Sequence, residues 1–162
     1  MLETARLTLR PWEVADAVLL RELWGERDPR VPARRRIDAQ GRPTVADLEE
    51  RIRSGALDGL LVVVVRAAGE PVGYSGITDA DGDEPELAFE LLRRAWGRGY
   101  ATEAAQAVVA DARGRGIPAL VAGVRAWNAA SLRVLDKLGF TPAGRVDPDP
   151  VHGDSVLLRL AL

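Results

Sequence analysis

Residues 86–104 of the chain read ELAFELLRRAWGRGYATEA and carry its strongest structural signal. The first six residues place Leu87, Phe89 and Leu91 at every second position, as a strand does, and the residues from Tyr100 onward are rich in alanine, as a helix is. Gly97, close to Tyr100, lies between the two patterns. The stretch therefore predicts a strand, a glycine turn and a helix in direct succession.

This order of elements is typical of an anion-binding site. Arg94, Gly97 and Gly99 are spaced Arg-x-x-Gly-x-Gly. Glycines let successive backbone N–H groups point to one side, and the free N–H groups of the first helical turn add about half a unit of positive charge. We expect a pyrophosphate group to bind here. The alternative is that the glycines only shape a tight turn.

Composition limits the number of domains and the possible partners. The chain has 162 residues, of which 47% are hydrophobic, so we expect residues 1–162 to form a single domain with a full core. With 22 basic and 24 acidic residues the net charge is −2. Such a chain does not attract nucleic acid or anionic membranes through its overall field. Any phosphate site must therefore be local.

The chain has no cysteine. This excludes disulfides, thiolate metal ligands and a cysteine nucleophile, and no metal site is predicted. The longest apolar run, residues 60–65, has the length of a strand and not of a membrane span. Because no signal peptide is visible either, we expect a cytoplasmic protein with no membrane partner.

Apolar periodicity and turn residues predict the other elements. Strands are expected at residues 6–12, 60–67, 72–78, 86–91, 119–125, 140–146 and 156–162. Helices are expected at residues 13–24, 44–55, 100–114 and 128–138. The predicted order is β-α-α-β-β-β-α-β-α-β-β, with about seven strands and a proline-rich loop at residues 25–43.

Three pieces of the sequence, in the right order, resemble one family. Residues 2–11 (LETARLTLRP), 96–104 (WGRGYATEA) and 128–140, which include NAAS and KLGF, are similar to the opening strand, the acetyl-CoA loop and the late helix of the GNAT superfamily of N-acetyltransferases. The branch that they resemble includes the ribosomal-protein N-terminal acetyltransferases. The resemblance covers almost the whole chain. It implies an α/β (α+β) fold with a mixed, mostly antiparallel sheet that is splayed between the fourth and fifth predicted strands.

The resemblance also implies acetyl-CoA as acetyl donor, with CoA as product. In this family the amides around the Arg-x-x-Gly-x-Gly turn hold the CoA pyrophosphate, and the end of the preceding strand pairs with the pantetheine arm. One N–H of that strand end would polarise the acetyl carbonyl. The implied cofactor-binding residues are Leu91, Leu92, Arg94, Gly97, Arg98, Gly99, Tyr100, Ala101, Thr102, Asn128 and Ser131. We expect Asn128 both to cap its helix and to touch the cofactor.

Acetylation of an amine requires that the attacking nitrogen lose a proton. Glu86 and Glu90 share one face of the central strand, and proximity could raise the pKa of one of them. The resemblance favours Glu86, because several members of the superfamily carry their base at this position. Glu90 is the second choice, directly or through a water. The alternative is that both carboxylates only form a hydrated strand face.

One position departs from the family pattern. Many members have a tyrosine four residues before the glycine of the late Gly-Phe pair, where it protonates the departing thiolate, and this chain has Leu135 there. The general acid would then be Ser131, a water or no group at all, because a thiolate with a pKa near ~8.5 is a fair leaving group. Without a cysteine, we expect direct transfer in a ternary complex.

The acceptor and the oligomeric state stay open. A protein N-terminal α-amine and a small-molecule amine both fit, as do a monomer and a homodimer. The cluster at residues 34–36 is read as a solvated loop, although the resemblance places it near the acceptor. One alternative function is a CoA-binding or regulatory module that has lost catalysis. A dinucleotide-binding domain is disfavoured because Thr102 stands in place of the third fingerprint glycine.

Overall fold

An eight-stranded mixed sheet runs through the computed structural model, which describes residues 1–162. The strands are β1 (Leu2–Glu3), β2 (Leu7–Arg10), β3 (Leu60–Val65), β4 (Glu70–Thr78), β5 (Glu86–Leu91), β6 (Ala119–Arg125), β7 (Thr141–Asp147) and β8 (Ser155–Ala161). The helices are α1 (Ala17–Glu26), α2 (Val45–Arg53), α3 (Tyr100–Gly114) and α4 (Ala129–Lys137). The predicted fold class and element order are confirmed.

The predicted number of about seven strands is too low by one. The additional strand, β1, has two residues and pairs with β2 through Leu2 and Leu9. So short a strand has no periodicity to read. The first long strand also ends at Arg10, before Pro11, because proline has no N–H to donate to a ladder.

The sheet has the spatial order β1-β2-β3-β4-β5-β6-β8-β7. Strands β5 and β6 are the only parallel neighbours, and a single residue pair, Glu86 with Val121, joins them. Beyond this pair the two strands separate. The predicted splay between the fourth and fifth predicted strands, which are β5 and β6, is thereby confirmed.

The largest core cluster lies on one face of the sheet, between the strands and the helices α3 and α4. It holds 18 buried residues, including Leu7 of β2, Leu87 of β5, Leu120 of β6 and Leu158 of β8. Helix α3 contributes alanines and valines, whose small side chains let the helix lie close to the sheet. The same core thus connects the two halves of the sheet across the splay.

Helices α1 and α2 cover the other face. Helix α2 begins with the predicted capping box, in which Thr44 accepts from the N–H of Asp47 at 3.2 Å and Asp47 accepts from that of Thr44 at 2.8 Å. The predicted loop at residues 25–43 contains one 3₁₀ turn, Ala33–Arg35. None of the helices combines the length and the apolar character that crossing a bilayer requires.

Candidate active site

The glycine turn before α3 presents a continuous row of free backbone donors. Gly97 and Gly99 adopt φ values of 72° and 79°, which favour glycine. None of the six consecutive N–H groups of residues 97–102 donates to an acceptor in the chain, and Gly99 caps α3 without a side-chain bond. A side chain added at Gly97 would meet nothing within 4 Å. The row of donors is therefore open to an anionic ligand.

Residues near the start of the sequence hold the turn in place. Glu103, in the first turn of α3, accepts from Thr4 Oγ1 at 2.6 Å, from Arg6 N at 2.9 Å and from Arg6 Nε at 2.7 Å. Arg6 also donates to the carbonyl of Arg98 at 2.9 Å and lies over the ring of Tyr100. Burial opposes the charge of Glu103, but the hydrogen bonds from Thr4 and Arg6 outweigh it and lower its pKa. Sequence reasoning missed this network, because its partners lie 97 to 99 positions apart.

The end of β5 is tied to the same turn. The indole N–H of Trp96 donates to the carbonyl of Leu91 at 2.7 Å. The N–H of Leu92 donates to Val72 at 2.9 Å, so it points to β4 and away from the splay. Because successive residues of a strand direct their backbone groups to opposite sides, Phe89 and the N–H of Leu91 face the gap instead. Leu91 and Leu92 were both predicted to offer main-chain groups to the cofactor. Only Leu91 has an unpaired N–H that faces the gap between β5 and β6.

Glu86 lies at the base of the splay. Its Oε1 accepts from the N–H of Gly123 in β6 at 3.0 Å. This carboxylate takes the place that the next backbone carbonyl would have in a regular ladder. A Cβ on Gly123 would lie 3.2 Å from Glu86 Oε1, so the absence of a side chain there lets the carboxylate approach.

Glu90 is held by two other side chains. It accepts from Arg27 Nη2 at 2.6 Å, from Arg27 Nε at 2.8 Å and from Tyr74 Oη at 2.9 Å. Burial, then the charge of Glu90, raises the pKa of the Tyr74 phenol far above its ordinary value, so Tyr74 stays a donor. Four positions of a strand span about 13 Å, which is too far for Glu86 and Glu90 to share a proton. The expected mutual influence of the two carboxylates does not fit this arrangement.

Arg94 begins the turn, but its guanidinium points elsewhere. Its Nε donates to Glu70 at 2.8 Å, and its Nη1 contacts Glu22. The hydrogen bond to Glu70, with the charge of Glu22 beside it, raises the pKa of Arg94. The Arg94 side chain would have to leave these partners to reach a phosphate, whereas Arg98 has no ion-pair partner in the structure.

The late helix fits its predicted role in part. Asn128 caps α4 as expected, with Oδ1 accepting from the N–H of Ser131 at 3.1 Å. The hydroxyl of Ser131 has no partner in the chain and is half-buried. Leu135 is 0% exposed within the main core. No proton donor can therefore act from position 135.

Aromatic rings border the α1 side of the splay. The guanidinium of Arg27 lies 4.5 Å from the ring centre of Trp24, and that of Arg30 lies 4.1 Å from that of Trp127. The indole of Trp127 donates to the carbonyl of His152 at 2.8 Å. The loop after α1 thus reaches across to the segment after β6. The sequence alone does not reveal these cation–π pairs, because Arg30 and Trp127 lie on separate elements.

Comparison with known proteins identifies related folds and sequences. The family model described as an acetyltransferase (GNAT) domain matches residues 6–141. The chain is 29% identical over 150 residues to the N-acetyltransferase p20 of Bacillus licheniformis, covering 88% of this chain and 83% of that protein. The GNAT-family acetyltransferase from Bacillus anthracis superposes with a TM-score of 0.81 at 20% identity, covering 99% of this chain and 97% of that one. The structure of yncA from Salmonella typhimurium with its cofactor acetyl-CoA superposes with a TM-score of 0.71 at 21% identity, covering 97% and 94%.

Proposed function

Because the chain belongs to the GNAT family of acetyltransferases, we propose that it acetylates a primary amine, either a protein N-terminal α-amine or a small-molecule amine. It is an acetyltransferase, and acetyl-CoA is its acetyl donor. The observation that carries the site assignment is the row of six free N–H groups at residues 97–102, directly after the splayed end of β5.

Two features of the chain fit acetyl-CoA. The row of N–H groups and the positive end of α3 suit a diphosphate, because they offer hydrogen-bond donors and partial positive charge without a side chain that must be ordered. The edge of β5 beyond Leu87 has no strand partner, so it can pair with the amide groups of the pantetheine arm as a neighbouring strand would.

In the proposed reaction, bound acetyl-CoA supplies the activated acetyl group. The amine nitrogen forms a bond to the acetyl carbon, the carbon–sulfur bond breaks, and the nitrogen gives up one proton. We assign this proton to Glu86, because its carboxylate lies at the splay and only one of its oxygens is used by a protein donor, the N–H of Gly123. Glu90, which is paired with Arg27 and Tyr74, is the weaker candidate.

The sulfur leaves as a thiolate and takes up one proton. Ser131 is the side chain best suited to donate it, because its hydroxyl is free and lies in the first turn of α4 beside the capping Asn128. A water is the other possible donor. The N–H of Leu91 is the backbone group that we assign to the acetyl oxygen as that oxygen gains charge.

Thiol release from acetyl-CoA, measured with a panel of α-amines, lysine-type amines and polyamines, tests the proposal. At least one amine class should give turnover well above hydrolysis. Binding of acetyl-CoA without thiol release from any amine would instead support a CoA-binding module without catalysis. Calorimetry with NAD as the control ligand should show no binding.

Gly99→Glu tests the cofactor turn itself. A side chain with a negative charge would occupy a position with φ near 79° and repel the diphosphate, so acetyl-CoA binding should be lost. Unchanged affinity of this variant would remove residues 97–102 from the cofactor site.

A further inference from the structure

A cavity lies next to Trp24 of α1. It has a volume of about 340 Å³, and we call it the arginine cavity. Its charged and aromatic lining consists of Trp24, Arg34, Arg36, Asp38, Arg42 and Asp47. The lining holds three arginines and two aspartates, so its charge is 3 − 2 = +1 on a chain whose net charge is −2.

The guanidinium groups of this cavity are largely free. No acceptor or carboxylate in the chain contacts the side chains of Arg34 and Arg42, and Arg36 uses only Nε, which donates to the carbonyl of Val31 at 2.8 Å. Elsewhere most arginines near the site are paired, as Arg27 is with Glu90 and Arg94 with Glu70. The free guanidiniums therefore remain available to an anion from outside the chain.

The two carboxylates of the cavity are already engaged with the backbone. Asp38 Oδ1 accepts from the N–H groups of Gln40 at 2.9 Å and Arg42 at 2.8 Å. Asp47 accepts from the N–H of Thr44 at 2.8 Å and from its hydroxyl at 2.9 Å. These bonds shape the loop and the start of α2. They leave the arginines as the groups that can receive a ligand.

The arginine cavity is one side chain away from the reacting strand. Arg27 stacks on Trp24 at 4.5 Å, donates to Glu90 of β5 at 2.6 Å, and donates to the carbonyl of Arg35 at 2.8 Å. An acceptor with its amine at the splay and its chain along Arg27 could therefore place a group beside Trp24. The chemistry there favours a planar anion, because a guanidinium binds a carboxylate through two parallel hydrogen bonds.

Resting on the proposed function, we propose that the arginine cavity selects amine acceptors that carry a side-chain carboxylate. Free amino acids with an acidic side chain and peptides with acidic residues after the N-terminus share this chemistry. The cavity thus determines specificity, and Arg34 and Arg42 are the residues that read the carboxylate.

The test compares the peptides Ala-Asp-Asp-Ala and Ala-Asn-Asn-Ala, and free aspartate with free asparagine, in thiol-release assays at low salt. At least one acidic acceptor should have a KM up to about fivefold below that of its amide counterpart, since an ion pair with an exposed arginine is worth at most roughly that factor. Arg34→Gln and Arg42→Gln should each reduce this preference and change kcat little. Arg113→Gln, an exposed arginine on α3, is the matched control and should keep it. The peptide and amino-acid arms show which source the cavity prefers.

Equal KM values for acidic and amide acceptors would overturn the proposal. It would also be overturned if Arg34→Gln and Arg42→Gln raised the KM of the amide acceptors as much as that of the acidic ones. A calorimetric arm separates the cavity from catalysis. The N-acetylated form of the Asp peptide cannot react, but it should bind the CoA-loaded protein more tightly than the N-acetylated Asn peptide. If no acceptor is acetylated, the proposed function fails. The binding comparison still shows whether the arginine cavity prefers a carboxylate.

Discussion

At the scale of single residues, the two glutamates of β5 have separate tasks. Glu86 accepts one hydrogen bond across the splay, from Gly123 at 3.0 Å, and its other oxygen is free. Glu90 is fully engaged with Arg27 and Tyr74. Burial opposes the charge of Arg27. The hydrogen bonds and the charge of Glu90 outweigh this effect and raise the pKa of Arg27. Glu90 therefore anchors the loop after α1 to the central strand, and Glu86 is the better candidate base.

Glu86→Gln should lower kcat about 100-fold or more at neutral pH, the range in which general bases contribute. The amide oxygen can still accept from Gly123, so the melting temperature should change little. The loss should shrink as the pH rises above the pKa of the acceptor amine, because the amine then arrives neutral. Rates across pH and thermal melts measure both effects. Glu84→Gln, an exposed glutamate outside the site, is the control, and a Glu86→Gln enzyme with wild-type rates at every pH would exclude the assignment.

At the scale of elements, the first turn of α3 depends on the β1–β2 connection. Thr4 and Arg6 hold Glu103 from outside the helix, and Arg6 also holds the carbonyl of Arg98. The free N–H groups of residues 97–102 keep their common direction because both ends of the turn are fixed, one by Arg6 and one by the bond of Trp96 to Leu91. Cofactor affinity should therefore depend on a residue that does not itself belong to the turn.

Arg6→Gln should raise the Kd for acetyl-CoA about fivefold, which corresponds to the ~1 kcal/mol of a half-exposed ion pair. The KM of the acceptor should change less, because Arg6 contacts Glu103, Arg98 and Tyr100 and none of the residues assigned to the acceptor. Calorimetry with acetyl-CoA measures the change, with Arg113→Gln near the other end of α3 as the control. A Kd equal to that of the wild type would show that the turn is rigid without Arg6.

The Asp149 carboxylate accepts most of the side-chain hydrogen bonds that hold the loop between β7 and β8. Asp149 accepts from the N–H groups of His152 and Val151 at 3.0 Å and from Arg125 at 3.0 Å. The backbone hydrogen bond from His152, with further donors, lowers the pKa of Asp149 well below its ordinary value of 3.8. A carboxyl whose pKa is lowered on folding stabilises the fold above its ordinary pKa. This stabilisation is lost as the pH falls through the lowered value.

The difference in melting temperature between the wild type and Asp149→Asn should therefore shrink as the pH falls below the ordinary aspartate pKa of about 3.8. Thermal melts over a pH series measure it. The control is Asp136→Asn, at an exposed residue of α4, which should show no such pH-dependent difference. A difference that does not shrink below about pH 4 would show that the Asp149 carboxylate does not control the loop.

At the scale of the whole molecule, one core spans a sheet that is nearly divided. A single residue pair joins β5 to β6, yet the main core includes residues from β2, β5, β6 and β8 together with α3 and α4. The two parts of the sheet, β1 to β5 and β6 to β8, therefore stay together although β5 and β6 diverge, since one continuous apolar layer packs against both parts. This arrangement supports the expectation of a single domain for residues 1–162.

Calorimetry should accordingly show one unfolding transition, with equal calorimetric and van't Hoff enthalpies. Leu135→Ala, at a site that is 0% exposed, should destabilise the protein by ~2–5 kcal/mol and move the whole transition to lower temperature. Two transitions, or a shift of only part of the heat absorption, would show that the two half-sheets unfold separately.

The parts of the site that could be predicted from sequence are those with local causes. Asn128 caps α4 through a bond to a residue three positions away, and Gly97 and Gly99 mark the turn because their φ values favour glycine. The partners of Glu90, Arg94 and Glu103 lie on other elements. No pattern within a window of the sequence carries that information.

The amino-acid sequence by itself thus determined the order of the elements, the position of the glycine turn and the cap of the late helix, because periodicity and capping arise from hydrogen bonds that reach only a few residues. Only the tertiary structure decided which carboxylate stays available at the splay and which arginines stay without a partner. An ion pair depends on which elements pack together, and Arg27 meets Glu90 across 63 positions of the chain only because the loop after α1 packs on the face of β5.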